Sequence, residues 1–261
     1  MGVVDRRVIK SARRVLEILE FFDADRPEAT VMDIVRGLNC PQSSASELLR
    51  SLVILGYLMY DPQHRVYRPT AKVPLLGASV QTPFFGQGRL LSVMRQIHDA
   101  TGLAVVLGAE VSLVVEYLHV IQATDRSERR ISKGTELPLL RSGMGKALLA
   151  RKSPEAVRGI VHRLNSEEAN PEARVSYKDL IDEIGQYRRQ GYILSSNGIS
   201  PNFGMITVLL PSLDDGQNQA IGLAGPAATI EANCREFAKL IRRAIEDHLF
   251  HEKLELQAVA C

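Results

Sequence analysis

A run of polar residues between Pro41 and Leu52 has the chemistry needed to read the edges of DNA bases. Gln42 can pair with adenine, Arg50 can pair with guanine or a phosphate, and Glu47 can accept a hydrogen bond from cytosine. The serines of the same run, which can bind phosphate together with the free N–H groups of a helix N-terminus, are Ser43, Ser44 and Ser46. The spacing predicts a base-reading face, provided that these side chains project from a helix.

The elements around this run predict a winged helix-turn-helix over residues 1–70. A first helix is expected from about Lys10 to Phe22, and a second helix follows Thr30, which can form a capping box with Asp33. A turn at residues 39–41 then leads into the third helix, with Pro41 in its first position. The apolar face of the first helix is expected to be Ala12, Val15, Leu16, Leu19 and Phe22. The inward stripe of the third helix is expected to be Ala45, Leu48, Leu49, Leu52 and Leu55. Residues 57–68 are expected to form the wing.

Charge supports this interpretation through its placement and not through its total. The chain of 261 residues has a formal net charge of only +2. Two groups of side chains are nevertheless placed to contact phosphates. The N-terminal group is Arg6, Arg7, Lys10, Arg13 and Arg14, and the wing group is His64, Arg65 and Arg68. The alternative is that these polar residues are simply the solvated side of a helical hairpin.

The remainder of the chain indicates a linker and a second domain. Residues 71–88 are rich in proline and glycine, which is typical of an interdomain connection. Residues 89–261 alternate helical periods with short β-rich runs. Strands are expected at 103–107, 113–120, 131–140, 192–194, 205–210 and 220–224, with residues 108–110 as a hairpin turn and helices at 89–101, 143–150, 176–190, after Ser153 and from Ile230. This mixture predicts an α+β domain and not a doubly wound sheet.

Several other classes of protein are disfavoured. The Gly145-Lys146 pair lacks the spacing of a phosphate-binding loop, and no nucleophile motif is present, so we do not expect an enzyme. His248 and His251 are one helical turn apart, but exposed histidines near a terminus seldom bind metal, and neither a metal nor a cofactor is expected. No apolar run approaches the roughly 18 residues of a membrane span. The three cysteines lack a paired spacing, which predicts reduced thiols in a cytoplasmic protein.

Three segments resemble the IclR family of bacterial transcriptional regulators, and together they span nearly the whole chain. They are LNCPQSSASELLRSLVILGYL in the helix-turn-helix, KGTELPLLRSGMGKALLA over Lys133–Ala150, and the stretch from GYILSS through MITVLLP to IGLAGP. The resemblance implies a regulator of transcription that binds double-stranded operator DNA as a homodimer or a dimer of dimers. It also implies a GAF-like C-terminal domain with a central antiparallel sheet, which binds a small metabolite such as a carboxylic or aromatic acid.

The resemblance also implies where that effector binds. By position, Ser142, Gly143 and Met144 would lie at the ligand, with their N–H groups forming a cradle for a carboxylate. The other residues implied at the effector are Met205, Thr207 and Ser195, with apolar walls from Val105, Leu107 and Leu137. Met144 replaces a small residue of the family and Ser195 replaces an acidic one. The alternative is a C-terminal domain that binds no metabolite and serves only as an interaction module.

Overall fold

The computed structural model describes residues 9–23, 26–78, 88–198, 200–211 and 218–249. The chain divides into two compact units, Met1–Gly86 and Gln87–Cys261. The expected α+β architecture is confirmed, because the first unit is a helix-turn-helix with a hairpin and the second contains an antiparallel sheet between helices. The finer bounds of 1–70, 71–88 and 89–261 remain a prediction. Arg6, Arg7 and His251 lie outside the described residues.

The N-terminal unit contains four helices and one hairpin among its described residues. Its elements are α1 (Lys10–Glu20), α2 (Val31–Leu38), α3 (Gln42–Ile54), β1 (Leu58–Asp61), β2 (Val66–Pro69) and α4 (Lys72–Ala78). The two strands pair antiparallel, and Ala29 adds a bridge to Tyr67. Helix α4, which falls within the predicted linker, is tied to the end of α3 because Lys72 Nζ donates to the Leu55 carbonyl at 2.9 Å.

Local sequence signals explain where these helices begin and end. Thr30 and Asp33 form the expected capping box, in which the Thr30 hydroxyl accepts from the Asp33 N–H at 3.2 Å and the Thr30 N–H donates to the Asp33 carboxylate at 3.0 Å. Asn39 ends α2 in the left-handed region, at φ 46°. Pro41 precedes α3 as its N-cap, one position earlier than expected. The described turn therefore holds α2 and α3 together as a helix-turn-helix.

A small apolar core holds the N-terminal unit together. Its buried members are Ile18, Ala29, Ile34, Cys40, Ala45, Leu49, Leu52 and Leu58. Three residues that were expected to point inward are exposed: Ala12, Leu16 (62% exposed) and Leu55 (57% exposed). The expectation was wrong for Leu55 because α3 ends at Ile54, so the helical period no longer sets the direction of its side chain. The error at Leu16 arises because Val15, Ile18 and Leu19 already supply the face that packs on this core.

The C-terminal unit is built around a six-stranded antiparallel sheet. Its elements are α5 (Arg89–Thr101), β3 (Ala104–Val111), β4 (Val114–Ile121), β5 (Glu136–Pro138), α6 (Gly143–Leu149), α7 (Pro154–Glu167), a 3₁₀ turn (Pro171–Ala173), α8 (Tyr177–Gln190), β6 (Ile193–Ser196), β7 (Phe203–Leu209), β8 (Gln219–Pro226), α9 (Ala227–Ala232) and α10 (Cys234–Leu249). The strand order is β5-β4-β3-β8-β7-β6.

The hairpin between β3 and β4 differs from the expected one. Gly108 to Glu110 were expected to form its turn, but β3 continues through them and the turn lies at Ser112 and Leu113, with φ of 49° and 69°. The register shifts between Leu107 and Gly108, whose partners are His119 and Tyr117, so the extra residue of the bulge is Leu118 in β4. Gly108 is therefore a strand glycine at a place of close approach and not a turn residue. The extended run expected over 131–140 is limited to the three residues of β5.

Each face of the sheet is covered by its own apolar cluster. Residues such as Val106 and Met205 pack with α6, α7 and α8 on one face. Val105 and Ile206 belong to the other cluster, which contains residues of α5 and α10. This alternation along each strand decides which side chains can reach a site beneath α6.

Candidate nucleic-acid interface and C-terminal cavity

Helix α3 presents a polar face because its apolar residues are anchored in the core. Ala45, Leu49 and Leu52 are each no more than 2% exposed, and they fix the rotation of the helix. The side chains on the outer face are exposed at Gln42, Ser43, Ser44, Glu47 and Arg50, whereas Ser46 is half-buried. The structure thus brings the predicted base-reading residues onto one face of one helix.

The outer face of α3 is also free of intramolecular partners within the described ranges. No hydrogen bond or ion pair engages the side chain of Gln42, Glu47 or Arg50 among those residues. The charge of Arg50 lies close enough to Tyr67 of β2 to favour ionisation of that phenol, although burial raises the Tyr67 pKa overall. Side chains that make no internal hydrogen bond or ion pair have their donors and acceptors available for a ligand.

The wing contains both engaged and unengaged cations. The Asp61 carboxylate accepts from His64 Nδ1 at 2.8 Å, and this contact is the main reason that the pKa of Asp61 is lowered. Arg68 Nε donates to Glu28 Oε2 at 2.7 Å, and Arg68 Nη2 lies 2.6 Å from the same oxygen, which makes a charge-assisted pair. Arg65 is exposed and has no such partner in the part of the chain that the structure describes. Of the three predicted wing residues, Arg65 is the one whose side chain is not paired with an acid among the described residues, so it can bind a phosphate without breaking an ion pair.

The first helix offers a further cation. Arg13 is half-buried on α1. Its side chain forms no ion pair with an acidic residue in the described part of the chain. Its neighbour Arg14 instead donates to the Leu38 carbonyl at 2.7 Å and to Glu17 at 3.2 Å, so it joins α1 to the C-terminal end of α2. Arg13 is therefore the more available of the two adjacent arginines.

A small cavity lies between α6 and the strands β4, β6 and β7. It is lined by Tyr117, Leu137, Ser142, Gly143, Met144, Ser195, Gly198, Phe203 and Met205. Six of these residues were expected at the effector: Leu137, Ser142, Gly143, Met144, Ser195 and Met205. The sequence analysis missed Tyr117, Gly198 and Phe203. A signal was available only for Tyr117, an aromatic residue within β4 that pairs with Gly108. The cavity volume is about 20 Å³.

The structure does not bring Val105 and Leu107 to this cavity. Both side chains are buried in the cluster on the opposite face of the sheet, with residues of α5 and α10. The expectation that they form its walls is therefore corrected by strand alternation. Thr207 does not line the cavity but is fully buried two residues beyond Met205, on the same face of β7.

Two glycines allow α6 to begin against the sheet. A Cβ on Gly145 would overlap the Leu139 carbonyl group, 2.7 Å from its carbon, and a Cβ on Gly143 would lie 2.6 Å from Ser195 Cβ. Ser142 caps the helix by accepting from the Gly145 N–H at 3.0 Å. Lys146 pairs with Glu183 of α8 and is one-fifth exposed in its side chain.

The lining of the cavity is neutral. Among its described residues there is no acidic or basic side chain. Burial raises the pKa of Tyr117 to about 12, so its phenol stays protonated at neutral pH. The charge of Arg129 partly opposes that shift, and its guanidinium lies 5.9 Å from the centre of the Phe203 ring and donates to the Ser200 hydroxyl. A cation therefore lies outside a mainly apolar cavity.

Comparison with known proteins identifies the two units. The IclR helix-turn-helix domain matches residues 11–62, and the family described as bacterial transcriptional regulator IclR C-terminal matches residues 89–247, more than half of the chain. The chain belongs to the IclR family. It is accordingly a DNA-binding transcriptional regulator. The predicted family is thereby confirmed.

Individual relatives of this IclR-family regulator are distant in sequence. The HTH-type transcriptional regulator XynR of Escherichia coli (strain K12) is 25% identical over 193 residues, which cover 72% of this chain and 75% of XynR. The transcriptional repressor IclR of the same strain is 21% identical over 248 residues, or 92% and 88% of the two chains. Both relatives are regulators of transcription, and neither name describes a catalytic activity.

Solved structures share the fold of this IclR-family regulator. The effector domain of a putative regulator IclR from Acinetobacter sp. ADP1 matches with a TM-score of 0.57 and 25% identity, over 62% of this chain and 95% of that one. An IclR homolog from Microbacterium hydrocarbonoxydans, complexed with 4-hydroxybenzoate, matches with a TM-score of 0.63 and 20% identity, over 92% and 99%.

Two further observations on this regulator concern membranes and metals. No helix in the described part of the chain is long and apolar enough to span a membrane. Within the same residues, no group of three or more His, Cys, Asp or Glu side chains is arranged to hold a metal ion.

Proposed function

We propose that this regulator acts in the cytoplasm, reads a specific operator through α3, and changes its operator affinity when a small organic acid binds at the C-terminal cavity. The observation that carries the DNA part is the exposed face of α3, where the side chains of Gln42, Glu47 and Arg50 make no hydrogen bond or ion pair with the other described residues. The proposed phosphate contacts come from Arg13, Ser43, Ser44, Ser46 and the wing residues His64, Arg65 and Arg68.

The proposed active form is a homodimer or a dimer of dimers. Two recognition helices would read half-sites one helical turn, or a multiple of it, apart. An acid that prefers one placement of the two DNA-binding units shifts the operator affinity by its differential binding energy. A coupling of about 1–3 kcal/mol corresponds to roughly 5–150-fold in affinity.

The chemistry of the cavity supports an acid with a compact apolar body. Leu137, Phe203 and Met205 supply apolar contact, and the hydroxyls of Ser142 and Ser195 lie among them. A carboxylate could lie at the mouth, where Arg129 has no ion-pair partner among the described residues. An ion pair with the exposed Arg129 orients the ligand, while burial of its apolar part contributes most of the affinity.

A second function is favoured by the small volume of the cavity. About 20 Å³ holds one water molecule and no organic acid. If the cavity never enlarges, the C-terminal unit is a ligand-free interaction module. The two functions differ in whether any small acid stabilises the chain.

The DNA part is tested by selection from random duplexes with the full chain. We expect enrichment of a two-fold symmetric sequence with half-sites about one turn apart. Enrichment of no sequence above background would contradict a base-reading role for α3. Mass measurement of the selected complex by light scattering then distinguishes two copies of the chain from four.

The effector part is tested by thermal unfolding in the presence of a panel of carboxylic and aromatic acids. A binding acid at 100 times its Kd stabilises the folded chain by about 2.7 kcal/mol. The same acid should change affinity for the selected duplex, and Arg129→Gln should weaken its binding. If no acid in the panel shifts the unfolding temperature or the DNA affinity, the interaction-module function is correct instead.

A further inference from the structure

A depression in the sheet beneath α6 is occupied by a methionine of the protein itself. Gly108 of β3 and Gly222 of β8 form its floor, and we call it the glycine depression. A Cβ on Gly108 would overlap Met144 Sδ, and a Cβ on Gly222 would lie 3.0 Å from Met144 Cε and 2.7 Å from Met205 Sδ. Two neighbouring strands thus lack side chains where the Met144 thioether lies, with Met205 Sδ beside it at Gly222, and Met144 is only 1% exposed.

A buried hydroxyl without a partner lies beside the glycine depression. Thr207 pairs in register with Gly222 across β7 and β8. Its side chain lies on the α6 side of the sheet, since Ile206 and Val208 belong to the opposite cluster. Thr207 is fully buried, and its Oγ1 has no hydrogen-bond partner in the described part of the chain. A buried hydroxyl without a partner destabilises the folded chain, so it marks a place where a partner is missing.

The present cavity and the glycine depression are continuous through Met144. Met144 lines the cavity of about 20 Å³ and also fills the glycine depression. Methionine is unbranched and has three rotatable side-chain bonds, so it can leave such a space at lower cost than a branched or aromatic residue. Departure of its thioether would join the two spaces and uncover the region beside Thr207.

We propose that Met144 is a displaceable gate and that the effector is a hydroxyaryl acid whose ring takes the place of the Met144 thioether above the glycine depression. The ring hydroxyl then bonds to Thr207 Oγ1, and the carboxylate remains at the mouth near Arg129. The hydroxyl, ring and carboxylate of the ligand thus match, in this order, the unpartnered hydroxyl of Thr207, the apolar glycine depression and the exposed cation of Arg129. This inference rests on the proposed effector function and assigns its ligand class.

The gate is tested by measuring the binding of 4-hydroxybenzoate and benzoate to the full chain by calorimetry. Met144→Ala should raise the affinity for both, by about tenfold if the open arrangement is populated to roughly a tenth in the wild type. Met144→Phe should abolish the binding of both, because its ring fills the glycine depression permanently. Met94→Ala is the matched control: Met94 is also fully buried but lies in the opposite cluster. It should lower the unfolding temperature as Met144→Ala does, without changing either affinity.

Thr207→Val supplies a second test that needs no cavity-forming substitution. Wild type should prefer 4-hydroxybenzoate over benzoate by about 2–10-fold, the value of one hydrogen bond. Thr207→Val should lose that preference while unfolding at the same or a higher temperature, because the orphan hydroxyl is gone.

Two results would overturn the inference. Equal binding by wild type, Met144→Ala and Met144→Phe shows that Met144 gates nothing, and it leaves the proposed effector function standing. Absence of binding by both wild type and folded Met144→Ala rejects hydroxyaryl acids, and the wider acid panel then decides the effector function separately.

Discussion

The most direct test of the DNA-binding surface compares one arginine of α3 with one arginine of the wing. Arg50 projects from the base-reading face and Arg65 from the turn between β1 and β2, and both are exposed without partners among the described residues. Replacement of either residue by alanine should therefore change the free energy of unfolding by no more than about 0.5 kcal/mol. Arg65 has a φ of 55°, but alanine is strained there as much as arginine, so the comparison stays fair.

The two substitutions should differ in what they do to DNA affinity. A two-point contact from Arg50 to guanine is worth about 1–3 kcal/mol, so Arg50→Ala should lose roughly 5–150-fold per half-site on the selected duplex and little on random duplex. Arg65→Ala should weaken both duplexes alike. Loss of one phosphate contact per protomer should lower the slope of log affinity against log salt by about 0.9, or about 1.8 per dimer.

Fluorescence anisotropy at several salt concentrations measures both effects. Arg163→Ala is the charge-matched control, because Arg163 is 67% exposed in its side chain, pairs with Glu167 on α7 and belongs to the other unit. The assignment is wrong if Arg50→Ala weakens random and selected duplexes by the same factor. It is equally wrong if Arg65→Ala leaves the salt slope unchanged.

Four further substitutions test the local contacts of the two units. Gly145→Ala should destabilise the chain by about 1–3 kcal/mol or more, because the added Cβ meets a backbone carbonyl. Gly159→Ala on α7 should instead stabilise the chain by about 0.5–1 kcal/mol, because its Cβ meets open space. Calorimetry measures both changes in stability. Thr30→Ala should cost about 1–2 kcal/mol at pH 7 in urea unfolding. Hydrogen bonds from Thr30 lower the pKa of Asp33 below its usual 3.8. The stability from these hydrogen bonds is therefore present above pH 3.8 and is lost as the pH falls through the folded pKa. If Thr30→Ala destabilised the chain in strong acid as much as at pH 7, the capping box would be contradicted. Tyr117→Phe should remove an ultraviolet absorbance change near pH 12 that comes from ionisation of the Tyr117 phenol. Because burial raises the folded pKa from 10.0, the phenol contributes stability that is present below pH 10 and is lost by about pH 12. An absorbance transition of this phenol near pH 10 would refute its burial.

The helix-turn-helix was predictable because its signals act over a few residues. The capping box at Thr30 and Asp33, the left-handed Asn39 and the buried spacing of Ala45, Leu49 and Leu52 all depend on positions within one or two helical turns. The same holds for Ser153 and Ser176, which cap α7 and α8. Contacts at such short separations are encoded in adjacent sequence letters.

The effector site could be predicted only in part, because its residues come from separate elements. Alternation shows that Val105 and Leu107 share a face of β3, but it does not say which face lies beneath α6. The glycine at position 108 looks like a turn residue in the sequence, and only the thioether of Met144 lying over it explains a glycine inside a strand. Tyr117 and Phe203 were missed because their approach to the cavity depends on the pairing of distant strands.

The sequence by itself therefore determined the family, the order of helices and strands to within a few residues, and the face of α3 that points away from the core. The tertiary structure decided which cations are already paired with acids, which side of the sheet holds the cavity, and that a methionine occupies the depression beside it. The reason is range: caps and helical periods are contacts between near neighbours, whereas ion pairs such as Arg68 with Glu28 and the overlap of Met144 with Gly222 join residues that only folding brings together.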